Sequence, residues 1–241
     1  MDAARARLAI SLLDLTNLQE RCTTGDVDKL CQRAVSAGTA AVCVWPDFVH
    51  QSVHTLADTP IAVATVVNFP SGDERPFAVR VVTERALADG ADDIDVVLPF
   101  RAFLAGDLAW CAEVLDGVRA ATDGSAHMKV ILETGELPDV DTMTDAARFA
   151  IDHGADFVKT STGKSPVSAT PEAVGALLTA ISESGRTVGI KPSGGISTAE
   201  AADAYLHQAE AVMGAAYLAP ATFRFGASGV LDALAAVAAG D

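Results

Sequence analysis

Three lysines and one aspartate interrupt runs of the chain that are otherwise apolar. Asp95 falls in Ile94-Asp95-Val96-Val97, Lys129 in Met128-Lys129-Val130-Ile131, Lys159 in Phe157-Val158-Lys159-Thr160 and Lys191 in Gly189-Ile190-Lys191-Pro192. Lysine is among the residues least often fully buried unless it is paired. One such lysine is explained by a buried stem whose head reaches water. Three of them, with an aspartate, in four successive apolar runs call for another explanation. Neighbouring strands lie about 4.8 Å apart, so inward-facing Lys159 and Lys191 would bring two ammonium groups together. That proximity has a chemical use. A free lysine with a pKa of about 10.4 is neutral in about 1 molecule in 2,500 at pH 7, and only the neutral amine attacks a carbonyl. Burial beside a second cation can bring such a pKa to about 7–8. A nucleophilic lysine, a second lysine to tune it and an aspartate to move protons together support aldol chemistry through a Schiff base.

A second set of residues concerns the substrate. Gly163-Lys164 follows the run that holds Lys159, Gly194-Gly195 follows the run that holds Lys191, and Gly226-Ala227-Ser228-Gly229 follows the last run. Glycines in such loops let backbone N–H groups approach phosphate oxygens at helix N-termini, and Lys164 adds charge. Any one of these clusters is equally a tight turn. At the same end of one architecture they favour a phosphorylated substrate.

The elements that must position these groups are legible as a beat of short apolar runs and amphipathic stretches. Strands are expected at Leu8–Asp14, Ala40–Val44, Ile61–Phe69, Asp93–Leu98, Lys129–Glu133, Phe157–Thr160, Thr187–Lys191 and Ala221–Phe225. Their near-continuous apolar character is that of parallel strands buried on both faces. Between them, Val140, Met143, Ala147, Ala150 and Ile151 keep one helical face, as do Val174, Leu177, Leu178 and Ile181. Thr170-Pro171-Glu172 sets a capping residue before a first-turn proline. Ser197-Thr198-Ala199-Glu200 has capping-box spacing, which accounts for Glu200. Gly90 and Gly154 each end a helix before a strand. Eight strand–helix units over residues 1–241 predict an α/β fold, a single-domain (β/α)8 TIM barrel, with active sites expected at the C-terminal ends of the strands. A doubly wound dinucleotide fold lacks its G-x-G-x-x-G after an early strand.

Composition narrows the function classes. Half of the 241 residues are hydrophobic and a fifth are charged, which excludes a disordered or collagen-like chain. The longest uncharged stretch, Thr59–Gly72, has fourteen residues, short of the roughly 20 that span a membrane. No signal peptide is visible at the start. A net charge of −15 argues against nucleic-acid and anionic-membrane partners. Four cysteines without a C-x-x-C read as reduced thiols of a cytoplasmic protein. Cys43, in an apolar strand with no evident base, is a packed thiol rather than a nucleophile. His50 and His54 are four apart but lack a third ligand, so no metal site is expected there.

Along nearly its whole length the sequence resembles the deoxyribose-phosphate aldolase family. The specific segments are Lys129-Val130-Ile131-Leu132-Glu133-Thr134-Gly135, Phe157-Val158-Lys159-Thr160-Ser161-Thr162-Gly163-Lys164 and Val188-Gly189-Ile190-Lys191-Pro192-Ser193-Gly194-Gly195. Asp14-Leu15-Thr16, Asp93-Ile94-Asp95-Val96-Val97 and Phe225-Gly226-Ala227-Ser228 support them. The resemblance implies a lyase without metal or cofactor that cleaves 2-deoxy-D-ribose 5-phosphate reversibly to acetaldehyde and D-glyceraldehyde 3-phosphate. It implies Lys159 as the Schiff-base lysine, Asp95 as the acid/base working with water, Lys191 as the tuning lysine and Lys129 in support. Many family members carry a basic residue at the position of Ser197; here the phosphate grip shifts to backbone N–H groups and Lys164. Some end in a tyrosine that assists proton transfer, whereas this chain ends in Gly240-Asp241. Two other readings remain: a Schiff-base aldolase for another phosphorylated sugar, and a non-catalytic sugar-phosphate binder on the same barrel. Self-association into a homo-oligomer stays open.

Overall fold

A computed structural model describes residues Met1–Gly240; Asp241, the end of the expected domain and of the Gly240-Asp241 terminus, lies outside the described residues. In chain order the strands are β1 (Leu13–Thr16), β2 (Ala41–Val44), β3 (Ala62–Val67), β4 (Asp93–Val97), β5 (His127–Ile131), β6 (Phe157–Lys159), β7 (Gly189–Lys191) and β8 (Phe225–Ala227). The helices are α1 (Ala3–Ser11), α2 (Thr24–Ala37), α3 (Val49–Leu56), α4 (Pro76–Ala88), α5 (Phe100–Leu104), α6 (Leu108–Thr122), α7 (Val140–Asp152), α8 (Pro171–Glu183), α9 (Ala199–Met213) and α10 (Val230–Ala239). Every strand pair is parallel, in the order β7-β6-β5-β4-β3-β2-β1-β8. The ends of this sheet meet. Ile190 N–H donates to Thr222 O, Arg224 N–H to Ile190 O and Gly226 N–H to Pro192 O, with bridges Ile190–Phe223 and Ser193–Gly226. The expected (β/α)8 barrel is therefore closed.

Local chemistry explains the helix starts. Thr23 and Asp26 form a capping box on α2, and Thr170 accepts from Ala173 N–H ahead of Pro171 at the start of α8. Asp107 and Asp139 cap α6 and α7 in the same way. Val174, Leu177, Leu178 and Ile181 are all buried, as their spacing requires; on α7, Val140 faces solvent while Ala147, Ala150 and Ile151 are buried. Gly90 and Gly154, after α4 and α7, take the expected left-handed conformation.

Three expectations are corrected. Leu8–Ser11 is helical: Asp2 caps α1 by accepting from Arg5 N–H, and Arg5 pairs with Asp203 and Glu210 on α9. An apolar run of that length does not by itself distinguish helix from strand. The last strand is Phe225–Ala227 rather than Ala221–Phe225, because Thr222 and Phe223 N–H groups both turn back to Ala219 O. Gly226 and Ala227 are thus strand residues rather than loop. The α9 cap is Thr198, not Ser197; Thr198 accepts from Ala201 N–H, which leaves Glu200 in the first turn with no capping-box partner.

Candidate active site

Side chains two apart on a strand share a face, and in this barrel the inward face carries charge. Asp95 on β4 is registered against Lys129 on β5. Lys159 on β6 is registered against Ile131, two residues nearer the C-terminal mouth than Lys129, and against Lys191 on β7. The four groups expected from the sequence therefore do come together. Lys159 Nζ donates to Asp95 Oδ2 at 2.8 Å and Lys191 Nζ donates to the same oxygen at 2.7 Å. The two ammonium nitrogens are thus no further apart than two hydrogen-bond lengths. Lys129 Nζ lies 3.4 Å from Asp95 Oδ1 on the other side. Asp95, Lys129 and Lys191 are completely buried, whereas Lys159 keeps 4% of its surface exposed. Of the four, Lys159 is the one that opens into the mouth cavity.

The cluster is larger than the sequence reading anticipated. Lys191 also sits 2.5 Å from Asp14 Oδ2 and Lys129 is 2.5 Å from Asp93 Oδ2. Arg224 donates to Asp14 Oδ1 at 2.7 Å and lies 3.6 Å from Asp93. The signal for these residues was available. Asp14 interrupts Leu12-Leu13-Asp14-Leu15 and Arg224 stands between Phe223 and Phe225, the same anomaly that marks the lysines. Burial alone would push the Asp14, Asp93 and Asp95 carboxyls up. The surrounding cations outweigh it and hold all three below the ordinary carboxylate value, Asp95 far below it through Lys159, Lys191 and Lys129. Burial likewise works against the Lys191 ammonium, and Asp14 and Asp95 overcome it and raise its pKa. These two carboxylates hold Lys191 as its ammonium. Cys43, on the same inner wall, is pushed up to about 11 by burial and by the Asp95 carboxylate, which keeps it a thiol. The two tyrosines are bound away from this site: Tyr205 donates to Ala169 O and Tyr217 to Val188 O.

At the C-terminal mouth lies a cavity of about 750 Å³. Lys159, Gly163, Lys164, Gly194, Gly195, Ser228 and Gly229, all singled out from the sequence, line it. Gly194 has φ +82°, and a Cβ there would meet Ser168 Oγ at 2.6 Å, so only glycine lets this loop pack against Gly163. The Lys164 ammonium donates to Leu18 O at 2.8 Å across the cavity rim. Thr162, which also lines the cavity, donates its N–H and hydroxyl to the buried Glu133 carboxylate, fixing the loop after β6. Residues of the β1–α2 segment complete the wall, among them Asn17, Asp26, Lys29 and Arg33, which sequence reasoning did not single out. A larger cavity, about 960 Å³, opens at the opposite end of the barrel beside Asp93, His127 and Arg224. It does not reach Lys159. His50 and His54 are exposed on α3 and line neither cavity.

A closed (β/α)8 barrel with an amine-bearing cavity at the C-terminal ends of its strands belongs to the class of barrel enzymes. The model of the DeoC/LacD family aldolases matches residues 8–236, and the chain belongs to that family. It is 52% identical to the deoxyribose-phosphate aldolase of Agrobacterium fabrum (strain C58), across 98% of this chain and 92% of that one. Among solved structures it resembles the tetrameric deoxyribose phosphate aldolase of Aeropyrum pernix, with TM-score 0.79 and 25% identity over 98% of this chain and 96% of the other. A Toxoplasma gondii ME49 protein, provisionally assigned as a deoxyribose-phosphate aldolase, superposes with TM-score 0.89 and 28% identity, covering 99% and 97% of the two chains.

Proposed function

We propose that the protein is a deoxyribose-phosphate aldolase that cleaves 2-deoxy-D-ribose 5-phosphate reversibly to acetaldehyde and D-glyceraldehyde 3-phosphate through a Schiff base on Lys159. The observation that carries this reading is the Lys159 amine, open to the mouth cavity while sharing one oxygen of Asp95 with the buried Lys191. The neutral amine adds to C1 of the open-chain sugar, and loss of water leaves an iminium ion. Its positive charge replaces that of the Lys159 ammonium, so Asp95 keeps its counter-ion and no buried charge is left unpaired. Removal of the C3 hydroxyl proton then breaks the C2–C3 bond. The electron pair flows to the iminium nitrogen, and D-glyceraldehyde 3-phosphate departs. The enamine that remains is neutral, and at this stage Lys191 and Lys129 balance Asp95. Protonation at C2 and hydrolysis release acetaldehyde and return the amine. Asp95, working with water, is the group that moves these protons. Loops carrying Gly163, Gly194, Gly195, Ser228 and Gly229 offer backbone N–H groups to the phosphate, and Lys164 adds charge at the rim. Such an activity serves deoxyribonucleotide catabolism, and the free thiols of Cys22, Cys31, Cys43 and Cys111 suit a reducing cytoplasm. Self-association fits the tetramer formed by the Aeropyrum pernix relative.

The test is product identification. Incubation with 2-deoxy-D-ribose 5-phosphate should yield acetaldehyde and D-glyceraldehyde 3-phosphate in equal amounts. A folded protein that releases neither, or that turns over only a different sugar phosphate, would refute the assignment.

A further inference from the structure

The chain carries only five lysines in a molecule of net charge −15. Lys129, Lys159 and Lys191 form the buried cluster, and Lys164 closes the rim onto Leu18 O. The fifth, Lys29, lies a hundred residues before the first of these, on α2, and it lines the same cavity as Lys159 and Lys164. Its surroundings distinguish it from the other cations there. Lys164 already donates to a backbone carbonyl, and Arg33 is held by Asp232 of α10 at 2.5 Å. Asp26, one turn before Lys29, has its carboxylate engaged by Thr23 N–H and hydroxyl at 3.0 and 2.6 Å. Among the described residues Lys29 is exposed and takes part in no ion pair or side-chain hydrogen bond.

Its height in the barrel follows from the pairing of its neighbour. Helix α2 descends from the C-terminal mouth after β1. Arg33 meets Asp232 in the first turn of α10. Lys29 precedes Arg33 by four residues, about 6 Å nearer the mouth on the same helix face. It shares the lining of the cavity with Ser228 and Gly229, at the start of α10, where Gly229 provides no side-chain cap and leaves the first-turn N–H groups open. Uncapped N–H groups at a helix start favour an anion.

We propose that Lys29 is a further side chain that recognises the phosphate of the substrate, a specificity-determining residue supplied from α2 in addition to Lys164 and the glycine loops. The inference rests on the phosphorylated-sugar reading of the cavity given above. It does not depend on which carbon–carbon bond is broken. Lys29 supplies charge to the end of the substrate remote from Lys159 and takes no part in bond breaking, so it governs binding and leaves the chemical step alone.

Two measurements on Lys29→Gln test it. Inorganic phosphate binding, followed by calorimetry on the folded enzyme, should weaken about tenfold, the loss of one charge-assisted hydrogen bond. In turnover of 2-deoxy-D-ribose 5-phosphate, KM should rise by about the same factor with kcat within about twofold, since the lost contact is made equally in ground and transition states. The kcat/KM for unphosphorylated 2-deoxy-D-ribose should stay unchanged, and Lys29→Arg should restore most of the phosphate affinity. Wild-type phosphate affinity in Lys29→Gln, or an equal loss with the phosphorylated and unphosphorylated sugars, would overturn the proposal. A wild-type protein that binds phosphate through Lys29 yet fails to cleave the sugar would instead refute the reaction assigned above and leave this inference standing.

Discussion

Asp95 is the residue on which the cluster turns, because one of its oxygens accepts from both Lys159 and Lys191. Replacing it by asparagine keeps the shape and removes the charge. In Asp95→Asn, kcat should fall by about 10²–10⁴ through loss of the proton-moving group. The same change strands buried cations and should cost about 3–5 kcal/mol in urea unfolding. Inactivity without that loss of stability would mean that the carboxylate is not the counter-ion of the cluster. Cys43 provides the contrast. It is fully buried, and its thiol is held protonated at neutral pH. Cys43→Ala should leave kcat within about twofold and cost only about 1 kcal/mol of stability, in the range of a small core truncation. A large fall in kcat with stability intact would assign chemistry to the thiol.

At the scale of elements, the glycines of the last two units set the positions of the charges. Gly226 lies on β8 where a Cβ would come 2.6 Å from Ser193 Cβ and 3.1 Å from Lys191 Cε. Gly226→Ala should therefore displace Lys191 from Asp14 and Asp95. The overpacking should cost about 1–3 kcal/mol and lower kcat more than it raises KM; unchanged kinetics would show that the wall yields without moving the lysine. This strand also marks how far the sequence could be read. The eight apolar runs announced a parallel barrel, and charged residues inside four of them located Asp95, Lys129, Lys159 and Lys191. The glycine loops at the mouth were legible for the same local reason. What was not legible depends on contacts across the barrel. Gly226 reads as a turn glycine in sequence, yet it is a strand residue that makes room for Lys191. Leu8–Ser11 reads as a strand until Arg5 is seen to bridge to Asp203 and Glu210 about two hundred residues later. Lys29 was invisible because an exposed lysine on an amphipathic helix carries no local anomaly. Only the fold, which turns α2 toward the wall of the mouth, brings it to the cavity.

For the molecule as a whole, the buried cluster fixes how stability depends on pH. Asp14, Asp93 and Asp95 titrate lower in the folded chain than in the unfolded one. Each therefore contributes stability that is complete above the ordinary carboxylate value of about 4 and is lost as the pH falls through the lowered values. Lys191 titrates higher when folded, so its contribution is complete below the ordinary lysine value of about 10.4 and is lost only as the pH rises through the raised one. Melting temperature should thus be nearly flat from about pH 5 to 9 and fall steeply in acid. A maximum near the isoelectric pH of about 4.6 would show that the net charge of −15, rather than the internal pairs, governs stability.

The measurement that bears most directly on the chemistry is reductive trapping. The protein is incubated with 2-deoxy-D-ribose 5-phosphate, reduced with borohydride, digested, and the modified peptide mapped by mass spectrometry. A single adduct on Lys159, absent from Lys159→Ala, is the predicted result. A folded protein that gives no adduct, or an adduct on Lys191 or Lys164 in its stead, would contradict the assignment of the mouth-facing amine as the nucleophile.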